Sequence, residues 1–205
     1  MIAPAFAGVI LAAGYSTRMG RDKALLPWQN TNFLGAAIEM LFASTDLVIV
    51  VGGANVGSLK SEIYRRGAFL TINPDPSRGQ FSSLQTGLQE VLNRGRDAAV
   101  VTLVDRPPIS SATVAALTES FRIESRAGKW AIVPEVIDPA TGMAKHGHPI
   151  ILGREMIEFI LKAPVTNNAR DVMHAHQDRI RYVTVEDDNT IRNVNTPEEY
   201  AALLG

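Results

Sequence analysis

A layered α/β domain built on a mostly parallel sheet is the fold this sequence predicts, and three observations carry the prediction. Strand-like and helix-like segments alternate along the chain. Two apolar runs, Leu47-Val48-Ile49-Val50-Val51 and Ala98-Ala99-Val100-Val101-Thr102-Leu103-Val104, lack the alternation of a half-exposed strand, which fits parallel strands covered by helices on both faces. A third apolar run, Phe6 to Leu11, ends in a loop of small residues and cations, where ligands collect in such sheets.

In order, strands are expected at Phe6–Ala12, Leu47–Val51, Ala68–Ile72, Ala98–Val104, Ala131–Val136, Pro149–Leu152 and Ile180–Val185. Helices are expected between and after them, at Phe33–Ala43, Val56–Arg66, Phe81–Asn93, Ser111–Ser125, Arg154–Leu161, Ala169–His176 and Pro197–Leu203. The last has a plain start signal: Thr196 as cap, Pro197 in the first turn, Glu198 and Glu199 at the positive dipole end. No internal repeat, low-complexity stretch or linker divides residues 1–205, so one domain is expected.

Composition narrows the function. Apolar content of 46% and charged content of 20% in 205 residues are those of an ordinary globular chain. A net charge of −1 argues against a basic surface for nucleic acid, so a nucleotide is the better phosphate ligand. The absence of cysteine removes disulfides and thiolate chemistry and fits a cytoplasmic protein. Met1 to Gly14 carries no Lys or Arg before its apolar part, unlike a secretion signal, and no run is long enough for a membrane span.

The polar residues after each strand are the candidates for chemistry. After the first come Leu11-Ala12-Ala13-Gly14-Tyr15-Ser16-Thr17-Arg18-Met19-Gly20-Arg21-Asp22-Lys23. Ala12, Ala13 and Gly14 let an anion approach the backbone, and Arg18 and Lys23 add a planar fork and a mobile point charge. The stretch fits neither the Walker pattern nor the dinucleotide fingerprint. After the third strand, Asn73-Pro74-Asp75 leads to Ser82 and Ser83 at a helix start, where free amides and hydroxyls suit polar ligands, although a serine there can equally be a simple cap. Asp105 follows the fourth strand, so its carboxylate emerges at the ligand edge; it can cap the following helix, or hold a divalent cation such as Mg²⁺ beside a phosphate ligand. Near the end, Asn193 and Asn195 share one side of an extended segment. His174 and His176, two apart on a helix, face different ways and do not describe a zinc site.

Residues 11–27 resemble the opening motif of the MobA-like nucleotidyltransferases, LAAG-x-S-x-RMG-x-x-K, and the rest of the chain is most similar to the molybdenum cofactor cytidylyltransferases. The likeness continues in Asn73-Pro74-Asp75 with Gly79, Ser82-Ser83-Leu84 and Gly87-Leu88, in Asp105-Arg106-Pro107, in Gly147-His148-Pro149 and in Asn193-Val194-Asn195-Thr196-Pro197-Glu198-Glu199. Arg106 stands where Gln or Met is more usual. The resemblance implies a Rossmann-like three-layer α/β/α nucleotidyltransferase fold. It also implies Arg18 and Lys23 on the phosphates, Leu11, Ala12, Ala13 and Gly14 at phosphates and base, and Asn73, Ser82 and Ser83 beside the base. Asp105 would bind Mg²⁺ with Asn195 as second ligand, or Asn193 in its place; His148 and Arg170 would face the acceptor. The implied reaction is attack by a phosphorylated acceptor, molybdopterin carrying molybdenum, on the α-phosphorus of CTP with release of pyrophosphate. A molybdoenzyme or its maturation factor would receive the product. A guanylyltransferase, a sugar- or polyol-phosphate nucleotidyltransferase and a non-catalytic nucleotide-binding cofactor chaperone remain open.

Overall fold

A computed structural model describes residues 4–14 and 22–204. Its centre is β1 (Phe6–Leu11), every residue of which is buried. β1 is flanked in parallel by β4 (Leu47–Gly52) and β6 (Ala98–Leu103), and β5 (Phe69–Ile72) extends the sheet beyond β4. On the other side β9 (Ile150–Gly153) runs antiparallel between β6 and β7 (Ala131–Ile137), and β10 (Ile180–Thr184) lies parallel outside β7. The spatial order is β10-β7-β9-β6-β1-β4-β5, with β8 (Ala144–His146) paired to β7. The sheet is therefore mixed and mostly parallel, as its apolar strands require.

Alternation along the strands divides the core in two. Phe6 and Ile10 of β1, with Val48 and Val50 of β4, meet α1 (Phe33–Phe42), α2 (Val56–Arg65) and α4 (Ser111–Glu124) on one face. Val9 and Leu11, with Ile49 and Val51, meet α3 (Gln80–Asn93), α5 (Arg154–Lys162) and α6 (Ala169–His174) on the other. Burying apolar side chains on both sheet faces removes the need for alternation. α7 (Pro197–Leu204) leaves this pattern: its Tyr200 joins Leu26, Phe33 and Val194 in a separate small cluster.

Some elements differ from those expected. The short antiparallel pair β2 (Pro27–Trp28) and β3 (Thr31–Asn32) has two residues per strand, too few to show a period. β8 is exposed throughout and so lacks an apolar face to announce it. The strand expected from Pro149 begins instead at Ile150, because the His148 amide is drawn out of the sheet to the Thr190 carbonyl at 2.9 Å.

Candidate active site

The chain leaves β1 for β4 on one side and returns later to β6 on the other, so the strand order switches at β1. The loops that leave the carboxyl ends of β1 and β6 therefore part at that point, and a crevice opens between them. A cavity of about 220 Å³ lies there, lined by Ala13, Gly14, Lys23, Gln80, Ser83 and Asp105 among others. Lys23 sits in a short helical turn capped by Asp22, whose carboxylate accepts from the Ala24 amide at 3.1 Å. Asn55, from the loop after β4, holds the other Asp22 oxygen at 2.8 Å and the Ala12 carbonyl at 3.0 Å.

The Lys23 ammonium donates to Asn195 Oδ1 at 2.8 Å and lies 3.6 Å from Asp105 Oδ2. Its side chain is 11% exposed and that of Asp105 30%, so the ion pair is shielded without being sealed. Asp105 Oδ1 is buried and has no hydrogen-bond partner among the described residues. The Val194 amide donates to the Asp105 carbonyl at 2.8 Å, which lays the segment carrying Asn195 across the strand tip. Three residues far apart in sequence thus meet at one edge. Their chemistry is an ammonium facing a carboxylate and an amide oxygen, and the two oxygens are the hard donors that Mg²⁺ prefers. Among the described residues, no group of three or more His, Cys, Asp or Glu side chains could hold a metal ion.

A second cavity, about 300 Å³, adjoins the first and shares Leu11, Gly79, Gln80 and Leu103 with it. His148, Asn167 and Asn168 lie on its lining, as does Ala169 at the start of α6. Burial, aided by the nearby Arg106 charge, pushes the His148 imidazole down to about 3, so the ring is neutral near pH 7. Burial also lowers Arg106 from its ordinary value, an effect that the Asp105 charge opposes.

Other expected site residues take different positions. Asn73 is buried and donates to Ser82 Oγ at 2.8 Å and to Ser83 Oγ at 2.9 Å. Ser82 passes its own proton to the Gly79 carbonyl at 2.7 Å. Asn73 and Ser82 therefore brace the start of α3 from beneath, and of the three only Ser83 lines the first cavity. The Ala12 amide is spent on the Val51 carbonyl at 2.9 Å, which leaves Ala13 and Gly14 as cavity backbone. Arg170 is exposed on α6 and is not among the residues lining either cavity. Asn193 is exposed, and Asn195 is the asparagine that reaches Lys23. Arg18 lies outside the described residues, as do Ser16 and Gly20 of the same motif. A larger cavity, near 680 Å³, opens at the opposite edge beside Phe6 and Asp46, away from all of these groups.

Comparison with known proteins agrees with the topology. The chain is 28% identical over 207 residues to the nicotine blue oxidoreductase of Paenarthrobacter nicotinovorans, covering 98% of this chain and 97% of that one. It is 27% identical over 197 residues to the molybdenum cofactor cytidylyltransferase of Escherichia coli, covering 94% of this chain and 92% of that one. The crystal structure of Rv0371c from Mycobacterium tuberculosis superposes with a TM-score of 0.80 at 26% identity, covering 100% of this chain and 99% of that one. Among the described residues no helix is long and apolar enough to cross a membrane. The MobA-like NTP transferase domain matches residues 8–180, a span that takes in most of β1 and the residues lining both crevice cavities; the chain belongs to that nucleotidyltransferase family.

Proposed function

We propose that the protein, acting as a single domain in the cytoplasm, transfers CMP from CTP to molybdopterin carrying molybdenum and releases pyrophosphate. The observation that carries this reading is the meeting of Lys23, Asp105 and Asn195 at the mouth of the crevice between β1 and β6. In the reaction an acceptor phosphate oxygen forms a bond to the α-phosphorus of CTP as the bond to the β-phosphate oxygen breaks. No protein nucleophile is needed, so the work is alignment and charge neutralisation. Lys23, with Arg18, would hold the phosphates; Leu11, Ala13, Gly14 and Ser83 would line the nucleotide's side of the crevice. His148 and the second cavity would take the acceptor.

Asp105 and Asn195 would hold Mg²⁺, and the unpartnered Asp105 Oδ1 is the observation that fits them to it. When bound, Mg²⁺ supplies Lewis-acid neutralisation of the phosphates. Asn195 contributes an oxygen without charge, so affinity for the ion should rise sharply once nucleotide phosphates complete the ligand set. The product would pass to a molybdoenzyme or its maturation factor, with no nucleic acid or membrane involved.

The test is pyrophosphate release measured with CTP, GTP, ATP and UTP, each with and without molybdenum-loaded molybdopterin. Release with CTP alone among the four, and only with that acceptor, is expected. Release with GTP would make the enzyme a guanylyltransferase, and release only with sugar or polyol phosphates would move it to another acceptor class. The pairing of Lys23 with the only carboxylate of the trio favours a second reading, a nucleotide-binding cofactor chaperone. Calorimetry showing tight CTP binding in EDTA, with no pyrophosphate under any condition, would select it.

A further inference from the structure

Arg106 follows Asp105 and is not explained by nucleotide binding. Its Nη1 donates to the Thr190 carbonyl at 3.2 Å and to the Arg192 carbonyl at 3.4 Å. The same Thr190 oxygen accepts the His148 amide at 2.9 Å. Thr190 is fully buried, and a Cβ on Gly147 would come within 2.2 Å of its oxygen, so glycine is required for this approach. One carbonyl therefore ties the guanidinium, the His148 backbone and the loop leading to Asn195.

Three further atoms at this junction are buried and lack a hydrogen-bond partner among the described residues: Arg106 Nε, His148 Nδ1 and the Thr190 hydroxyl, which can donate or accept. Buried polar atoms without partners need an explanation. A guanidinium N–H can only donate, whereas a neutral imidazole carries one donor and one acceptor nitrogen. Beside a buried positive charge the sealed ring nitrogen is more stable with its lone pair than with a proton. His148 is only half-buried and Nδ1 is its sealed side, so the accessible remainder of the ring carries Nε2.

We propose that Arg106 is a positioning residue for His148: it keeps Nδ1 as the acceptor nitrogen, so that the ring presents a neutral Nε2–H donor to the second cavity. The group this donor would engage is an electronegative oxygen of the acceptor, a carbonyl or a phosphate oxygen. A neutral donor there binds such an oxygen without bringing a further positive charge into the cavity. The assignment of that oxygen to an acceptor rests on the function proposed above; the tautomer itself does not.

The tautomer is read by long-range proton–nitrogen correlations on the full chain labelled with ¹⁵N-histidine, at pH 7 and without substrate. His148→Gln assigns the His148 signals. The expected pattern in the native sequence is protonated Nε2 with unprotonated Nδ1. Arg106→Met should shift His148 toward a mixture of the two tautomers, and Arg106→Lys, which returns a positive charge, should recover most of the original pattern. A protonated Nδ1 in the native sequence overturns the proposal, and that spectrum decides even if Arg106→Met fails to fold. An unchanged pattern in a folded Arg106→Met overturns it as well. Failure of pyrophosphate release with every acceptor would instead overturn the functional reading, because the tautomer is measured without turnover.

Discussion

At the scale of single residues, the crevice depends on charges held where water only partly screens them. Lys23 is nearly buried, so its ammonium is stabilised by Asp105 and by the Asn195 oxygen, and phosphates would compete for the same cation. Lys23→Ala and Asp105→Ala should each lower turnover by at least ~10², the scale of one lost charge contact in a transition state. Pyrophosphate release within a few-fold of the native rate would remove that residue from the mechanism. His148 has a separate signature in pH. Its imidazole is held at about 3 in the folded chain against an ordinary value of 6.5. Between those values the unfolded chain binds a proton that the folded chain does not, so His148 contributes stability above pH 6.5 that drains away as pH falls toward 3. Urea unfolding at pH 4, 5, 6 and 7 should show that His148→Gln loses stability less steeply over this window, by up to one proton. Parallel slopes for the two proteins would show that His148 titrates normally.

At the scale of elements, close helix–sheet packing decides the sign of otherwise similar substitutions. Gly87 in α3 faces the sheet, and an added Cβ would meet Val51 Cγ2 and Val9 Cγ1, each at 2.8 Å. Gly→Ala in a helix is worth about 0.8–1.0 kcal/mol in its favour. Overpacking a core costs about 1–3 kcal/mol. Gly87→Ala should therefore be destabilising on balance, whereas Gly57→Ala in α2, whose Cβ would meet nothing within 4 Å, should be neutral or stabilising. Denaturant midpoints that move the same way for both would show that the α3 contact is not tight. This packing is also why so much of the fold was legible. The continuous apolar strands and the α-helices among the described residues follow from burial, which leaves its period in the sequence. β2, β3 and β8 are short or exposed and leave no such trace. The site was legible where a glycine-rich loop or a strand-end carboxylate announced it. The contact of Lys23 with Asn195 spans 172 positions, and no local pattern encodes a distance of that kind. Asn73 stands beside the base only through the family resemblance, and it takes the fold to show its amide buried and bracing Ser82 and Ser83. Arg106 was visible as a departure from the family motif, but its role depends on Thr190 and His148, which only the fold brings to it.

At the scale of the whole molecule, α7 closes onto residues 26–33. Tyr200 of α7 donates its hydroxyl proton to the Pro27 carbonyl at 2.7 Å, and its ring lies 6.1 Å from that of Phe33. Phe33 in turn packs against Trp28, with ring centres 5.2 Å apart. These contacts fasten α7 to residues 26–33, immediately after the turn that carries Lys23. The main sheet lies outside this cluster, so loosening α7 should disturb the crevice more than the core. Tyr200→Phe removes the hydrogen bond to Pro27, worth about 1 kcal/mol, and should leave nucleotide affinity within about twofold. Tyr200→Ala also removes the ring that fills the cluster, which frees Asn195 to drift from Lys23 and Asp105. Calorimetric CTP affinity should then fall about tenfold, and proteolysis near residues 26–33 should quicken, while far-ultraviolet circular dichroism stays native. Native CTP affinity in a folded Tyr200→Ala would mean that Lys23 and Asn195 keep their contact without the C-terminal helix, and that the crevice is assembled by the sheet and its loops alone.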